Sequence, residues 1–374
     1  MRKPNVVDAP WTNGYNAPVY RTMSTTPSPT RTAVVLFNLG GPDSPDAVRP
    51  FLFNLFNDPS IIGAPTPIRY LLAQFISRRR ERPARAIYAE LGGKSPLLEN
   101  TEAQARALEG ALNGGELGEV RAFVAMRYWH PMSDAAARAV KAFDPDRIVL
   151  LPLYPQWSTT TTASSLRVWN EAAAAVGLAA PARVVCCYPT EPGFATASAE
   201  LIRPRYDEAA THGRPRVLFS AHGLPKKVVE KGDPYQWQCE RTAEAIVAAL
   251  GIEDLDWVSC YQSRVGPLEW IGPSTDAEIR RAGQDKVPVV VVPLAFVSEH
   301  SETLVEIEVE YRHLAHEAGV PFFARVPTVG TTPAFIDGLA RLVRQAAACD
   351  RFMCSQSGGR LCLSGFSGCP QRAT

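Results

Sequence analysis

The chain reads Ala33-Val34-Val35-Leu36-Phe37-Asn38-Leu39 and then Gly40-Gly41-Pro42-Asp43-Ser44. Apart from Asn38 the first seven residues are apolar, with no alternation of polar and apolar side chains. Such a run is a strand covered on both faces, the pattern of a parallel sheet. Gly40-Gly41-Pro42 ends it, and Asp43 or Ser44 can cap the helix that follows. Similar runs predict strands at Arg121 to Met126, Arg147 to Leu153, Arg183 to Cys187, Arg216 to Phe219, Trp257 to Cys260, Val287 to Phe296 and Phe322 to Val326. Alanine-rich helical stretches lie between them, at Thr101 to Leu112, Asp134 to Phe143, Thr161 to Val176, Phe194 to Ala210, Tyr235 to Leu250, Thr275 to Gly283, Glu302 to Ala318 and Pro333 to Ala347. Strands alternating with helices of this length make βαβ units, hence an α/β fold with mostly parallel sheet. The polar junction Thr211-His212-Gly213-Arg214-Pro215 divides the chain into two α/β halves. The expected domains are 33–210 and 211–330, with a C-terminal helix and extension over 331–374.

A chain of 374 residues can bury large cores, and two domains are expected. Lys plus Arg number 39 against 38 Asp plus Glu, a balance that points to no nucleic-acid partner. The longest apolar run, Val287 to Val297, is broken by Pro288 and Pro293 and falls short of the roughly 20 residues of a spanning helix. Residues 1–32 are rich in Pro, Thr, Ser and Asn, lack the basic start and apolar core of a signal peptide, and read as a flexible tail. The eight cysteines are not spread like a disulfide framework, which suggests a reducing, cytoplasmic setting.

Two strand endings carry chemistry. One is Phe219-Ser220-Ala221-His222-Gly223, whose neutral imidazole can accept a proton near neutral pH. A histidine that only hydrogen-bonds a loop would look the same. The other is Phe296-Val297-Ser298-Glu299-His300-Ser301-Glu302-Thr303-Leu304. From it, Glu299, Glu302, Glu306, Glu310 and His313 recur at three- or four-residue spacing, one stripe of an α-helix, with Glu317 on the next turn and Glu308 off the stripe. A helix N-terminus capped by Ser298 or Ser301 accounts for some of this acidity. Yet like charges at that spacing disfavour one another, and such a stripe beside His300 can pass a hard divalent cation or relay protons. In open α/β sheets, ligands sit at strand ends of this kind. Three more endings mix aromatic and polar groups: Arg127-Tyr128-Trp129-His130-Pro131, Tyr154-Pro155-Gln156-Trp157-Ser158-Thr159 and Tyr261-Gln262-Ser263-Arg264-Val265-Gly266. Aromatics beside arginine suit a flat, partly apolar, anionic ligand.

The stretch from Phe51 to Arg80 breaks the βαβ pattern. It holds Phe51-Leu52-Phe53-Asn54-Leu55-Phe56, then Ile68-Arg69-Tyr70-Leu71-Leu72-Ala73-Gln74-Phe75-Ile76, then Arg78-Arg79-Arg80. It reads either as ordinary core helices or as an apolar lip over a large hydrophobic ligand, resting on a membrane surface.

With Asn38-Leu39-Gly40-Gly41-Pro42, Met126-Arg127-Tyr128, Ser220-Ala221-His222-Gly223-Leu224-Pro225, Gly232-Asp233-Pro234-Tyr235, Tyr261-Gln262-Ser263-Arg264-Val265-Gly266-Pro267, Trp270-Ile271-Gly272-Pro273 and the Phe296 to Leu304 segment in that order, the chain resembles the ferrochelatases from about Ala33 to Ala347. The resemblance implies two Rossmann-like domains of the type II chelatase kind, with the porphyrin in the cleft between them. It implies insertion of ferrous iron into protoporphyrin IX, the terminal step of haem biosynthesis, with no nucleotide. His222 is similar to the family's active-site histidine and Glu302 to its acidic partner. Both are expected to face the incoming Fe2+. His300 and Glu306 match the polar path behind that pair, Leu39, Arg127 and Tyr128 the opposite wall, and Ser220 the strand beneath His222. Glu299 stands where relatives often carry aspartate. The 51–80 segment is similar to the family's lip, which in peripheral members touches the inner membrane. The first glycine-rich turn, Gly40-Gly41-Pro42-Asp43, lacks the dinucleotide fingerprint.

Cys349, Cys354, Cys362 and Cys369 follow the last predicted helix, with glycines and serines between them that permit tight turns. Four thiolates suit zinc or an iron–sulfur cluster, and free buried thiols are the other reading. Some ferrochelatases hold a 2Fe-2S cluster near the C-terminus, and by that resemblance these four cysteines are expected to supply all its ligands. In animal members one ligand comes from the loop matching Pro155 to Thr159, where this chain has no cysteine. Cys186 and Cys187, expected on opposite faces of a strand, read as core residues, as do Cys239 and Cys260. Relatives with such a cluster are often homodimers and others monomers. The rival readings are a coproporphyrin III ferrochelatase, a non-catalytic haem or iron–sulfur sensor on the same fold, and a two-lobed periplasmic metal-binding protein. Intact His222 and Glu302 disfavour the sensor, and the lip and missing export signal disfavour the last.

Overall fold

The computed structural model describes residues 30–371 except 265 and 267, so the expected tail over 1–32 lies almost wholly outside the described residues. Two parallel sheets organise the chain. The first has the order β2-β1-β3-β4-β9, with β1 at Arg31–Asn38, β2 at Glu119–Met126, β3 at Arg147–Pro152, β4 at Ala182–Val185 and β9 at Met353–Cys354. The second has the order β6-β5-β7-β8, with β5 at Arg216–His222, β6 at Asp256–Gln262, β7 at Val289–Pro293 and β8 at Phe323–Arg325.

The all-apolar strands are buried on both faces because each face has its own core. In β1, Val34 and Leu36 pack into one cluster and Ala33, Val35 and Phe37 into another. In β5 and β7, Val217, Phe219, Val290 and Val292 face one cluster while Leu218, Val289 and Val291 face the opposite one. The turn after β1 needs a glycine. Gly40 has φ +86°, and a Cβ there would stand 3.0 Å from the Trp129 amide nitrogen. Ser44 caps the short 3-10 turn at Pro45–Ala47 that leads into α1 (Val48–Phe56).

Two latches hold the lobes together. Helix α3 (Leu97–Leu112) grips the turn after β7. Gln104 Nε2 donates to the carbonyls of Val297 (2.8 Å) and Gly330 (2.9 Å), Ser298 Oγ donates to Gln104 Oε1 (2.8 Å), and Asn100 donates to the Glu299 carbonyl. At the second latch the loop after β3 meets α8 (Tyr235–Leu250) and the residues before it. Asp233 accepts from Ser158 Oγ and from the amide and hydroxyl of Thr159. Trp157 N donates to Gln238 Oε1.

The helix expected from Glu302 to Ala318 is instead a π-helix, Glu302–Tyr311, continued by α10 (Arg312–Glu317). Neither serine caps it by side chain: Ser298 is committed to Gln104, and Ser301 makes no capping bond. The expected acidic stripe also divides. Glu302 and Glu306 point inward, while Glu310 is exposed. Glu308 pairs with Arg312 and Arg325, and Glu299 accepts from Arg325 (2.8 Å) and the Thr328 amide. The wider turn of a π-helix rotates successive side chains away from α-helical register.

The C-terminal segment returns to the first sheet. Helix α11 (Pro333–Ala347) packs on that sheet's core, and β9 adds a fifth strand beside β4. The expectation of a 2Fe-2S cluster held by Cys349, Cys354, Cys362 and Cys369 is overturned here. Cys354 is buried at the sheet edge with Cys349 beside it, whereas a turn closed by Ser355 carries Cys362 away to Cys369, Cys187 and Gln238. Among the described residues no group of three or more His, Cys, Asp or Glu side chains is placed to hold a metal ion. Burial and the neighbouring Cys349 push the Cys354 thiol up to about 12. Cys186 and Cys187 are core residues as expected, both buried in one cluster, but not on opposite strand faces: β4 ends at Val185, strict alternation ends with it, and their sulfurs approach to 3.5 Å.

Replacing Gln104 with leucine should leave the Gly330 carbonyl and the Ser298 hydroxyl unpaired in a buried joint, and the Val297 carbonyl with only the Gly330 amide. The expected cost is about 3 kcal/mol, measured as a lowered urea midpoint.

Candidate active site

Parallel strands place their C-terminal ends at one edge of the sheet, and β5 and β6 end there together, with His222 paired to Gln262. His222 is thus the last residue of its strand rather than a loop residue. Its Nδ1 donates to Glu302 Oε2 at 2.8 Å, and its side chain keeps 41% of its exposure. That bond leaves Nε2 as the free acceptor. Tyr235 Oη donates to the His222 carbonyl at 3.0 Å and fixes the backbone from below. Gly223 is required beside it, since a Cβ would stand 2.9 Å from the Gln262 carbonyl oxygen.

Ser263 sits between the two inward carboxylates. Its amide donates to Glu306 Oε1 (2.8 Å), and its hydroxyl lies 2.5 Å from Glu306 Oε2 and 3.2 Å from Glu302 Oε2. Reaching both requires φ +61°, a left-handed conformation that is strained for serine. Gln262 Nε2 donates to Glu306 (3.0 Å), and Tyr311 Oη donates to it as well (3.1 Å). Ser220 is fully buried beneath this layer, its hydroxyl donating to Gln262 Oε1 at 2.7 Å, which turns the Gln262 amide toward Glu306.

The environment pushes these groups apart electrostatically. Burial raises Glu302, but the His222 charge and hydrogen bond outweigh it and hold the carboxyl below the usual range. Burial and the Glu302 charge raise Glu306, against the Ser263 bonds. Burial lowers His222, but the charge and hydrogen bond of Glu302 outweigh it, so the imidazole is raised above 6.5. His300 is buried, donates from Nδ1 to the Ser298 carbonyl (3.1 Å), and is lowered by burial against the nearby carboxylates, so it stays neutral. Two carboxyls with diverging affinities for a proton, beside a histidine, are an arrangement able to move protons.

The other predicted residues stand on the first lobe. Leu39 is half-buried among Val48, Phe51, Leu52, Tyr88 and Trp129. Arg127 lies over the Tyr128 ring at 4.7 Å and donates to Ser164 (2.8 Å) and Asp58 (2.6 Å). Tyr128 is buried, and its hydroxyl donates to Asp58 at 2.8 Å. Tyr88, at the end of α2 (Thr66–Ala89), lies between the two lobes: it packs in the Leu39 cluster, and its hydroxyl is near Ser301. Burial pushes that phenol up to about 12. The sequence pointed to neither Tyr88 nor Asp58, and Gln262 and Ser263 entered only within the Tyr261 to Pro267 segment, with no role of their own. A lone tyrosine or aspartate in a helical region carries no local signal of its partner.

Comparison with known proteins bears on the whole of this arrangement. Residues 31–347 match the ferrochelatase family profile. The chain belongs to the ferrochelatase family. Ferrochelatase from Caulobacter vibrioides NA1000 is 56% identical over 341 residues, covering 91% of this chain and 97% of that protein. Ferrochelatase from Phenylobacterium zucineum HLK1 is 55% identical over 341 residues, covering 91% and 98%. Ferrochelatase from the Wolbachia strain wRi is 53% identical over 310 residues, covering 83% and 98%. The two parallel α/β sheets are thus those of a ferrochelatase-type chelatase fold.

Because the His222 shift comes from Glu302, Glu302→Gln should lower the His222 titration, read from its Cε1 proton by NMR. In the wild type the neutral imidazole accumulates only as pH rises through a value above 6.5; in the variant, burial then dominates and the midpoint falls. An unmoved midpoint would uncouple the two residues.

Proposed function

We propose that this chain inserts ferrous iron into protoporphyrin IX to form protohaem, the terminal step of haem biosynthesis. The observation that carries the reading, within the family, is the His222–Glu302 pair at the open end of the second sheet. A free-base porphyrin is a rigid, nearly planar ring with two inner N–H groups. Iron enters once nitrogen lone pairs face it and both protons have left. Binding the ring bent brings it nearer the metal-accepting transition state. His222 Nε2 takes one pyrrole proton as general base, Glu302 stabilises the imidazolium that forms, and once that proton is passed on the neutral imidazole takes the second. Glu306, whose raised proton affinity suits it to receive a proton, passes it outward with Ser263 and the neutral His300. His222 and Glu302 face the incoming Fe2+, while Leu39, Arg127, Tyr128 and the Ser220 layer shape the walls. The domains of this reading are 33–210 and 211–330, with the helix and extension from 331.

The lip supports a peripheral position on the cytoplasmic face of a membrane. Ile68, Leu71, Leu72 and Phe75 follow helical spacing on α2, and all are exposed, Leu71 at 68% and Phe75 at 62%. Arg78, Arg79, Arg80 and Arg82 continue along the same helix, and all are exposed. An apolar stripe running into arginines suits an anionic bilayer surface. Among the described residues no helix is long and apolar enough to cross a membrane.

Purified protein should convert protoporphyrin IX anaerobically with ferrous iron, followed by absorbance, and His222→Ala should lower kcat by about 100-fold or more. Faster conversion of coproporphyrin III would keep the mechanism and change the substrate; no conversion of either ring by folded protein would overturn the reading. Independently, the Leu71→Glu/Phe75→Glu double variant should lose co-sedimentation with vesicles of anionic phospholipid.

A further inference from the structure

The loop joining α1 to α2 buries a carboxylate that none of the chemistry above uses. Asp58 has no exposed side-chain surface. Its Oδ2 accepts from Ser164 Oγ (2.5 Å), Arg127 (2.6 Å) and Tyr128 Oη (2.8 Å); its Oδ1 accepts from the Ser60 amide (2.9 Å) and Arg167 (3.1 Å). Five donors saturate a group with about four lone-pair sites. They come from three places: the lip loop itself, the segment after β2, and α5 (Thr162–Ala175). Asn54 of α1 reinforces the joint by donating to the Tyr128 carbonyl (3.1 Å). Burial pushes the Asp58 carboxyl up, but the Ser164 and Ser60 bonds and the Arg127 charge outweigh it, so it stays ionised near neutral pH.

A stability role alone would not need this wiring. Asp58 lies at the base of the exposed lip, and every side chain it holds is on, or directly behind, the wall across from His222. Arg127 has two of its nitrogens fixed, by Asp58 and Ser164, and its plane set against the Tyr128 ring. We propose that Asp58 is a positioning residue for porphyrin binding: its buried carboxylate locks Arg127 and Tyr128 to the base of the lip, so that lip and wall present one rigid surface to the ring. The proposal deepens the ferrochelatase reading and rests on it. It makes Asp58 act on the porphyrin side of the reaction and not on the iron side.

The test is Asp58→Asn, which keeps the size but puts an amide donor where five donors converge. Expected are a roughly 10-fold rise in the porphyrin KM and in the porphyrin dissociation constant from ring fluorescence, with the ferrous iron KM unchanged and kcat altered less than about 3-fold. Tyr128→Phe removes one bond to the carboxylate, and Ser164→Ala removes one to the carboxylate and one from Arg127, both without exposing it. They should show the same split more weakly, and Tyr128→Phe should add nothing in the Asp58→Asn background. If Asp58→Asn does not fold, these two single variants carry the test. Equal changes in both KM values, or a loss of turnover that tracks only the folded fraction, would overturn the proposal. Binding by fluorescence needs no turnover, so a wild type that binds porphyrin but inserts no iron would refute the activity and leave the Asp58 result readable.

Discussion

The 2.8 Å contact between His222 Nδ1 and Glu302 Oε2 places demands on both lobes. His222 must end β5 level with Gln262 at the end of β6, and parallel pairing in register provides that. Glu302 must begin a helix that points back toward β5. That helix starts after a turn which the second lobe does not hold by itself: α3 of the first lobe supplies Gln104 and Asn100 to its carbonyls. The His222–Glu302 pair is assembled from one lobe, and the turn before it is clamped by the other.

Electrostatics then separates two chemically equal side chains. Glu302 and Glu306 are four residues apart, and both reach Ser263, yet their proton affinities move in opposite directions. The difference lies in the partner. Glu302 has the histidine, which favours its anion; Glu306 has Glu302, which disfavours its own. Both turn inward on this helix, while Glu310 lies outside and Glu308 pairs with Arg312 and Arg325. A strained serine at φ +61° is tolerated because it satisfies both carboxylates at once.

The first lobe is organised differently. There Arg127, Tyr128, Ser164 and Arg167 converge on a single buried anion, Asp58, in a medium where an unpaired charge would be costly and a saturated one is rigid. The lip that extends from this anchor keeps its apolar stripe exposed because no other part of the described chain covers it. Rigidity at the base and exposure along the length suit a surface that accepts a large flat ligand and touches a bilayer.

The sequence by itself determined the α/β alternation, the parallel character of both sheets and the membership of His222 and Glu302 in strand-end segments, because hydrophobic period and strand termini are local properties of a chain. The Gly40 turn and the Ser44 cap were legible for the same reason. Only the tertiary structure decided which acidic residues meet His222, since a helical stripe assumes an α-helix and this one is widened. It alone joined Tyr88 and Asp58 to the walls, through contacts between residues far apart in the chain. It also separated the four C-terminal cysteines, which look like one set when counted along the sequence. Spacing limits how far thiols can be from one another but does not say which way the chain turns between them, and here β9 pairing and the Ser355 turn send them to different neighbours.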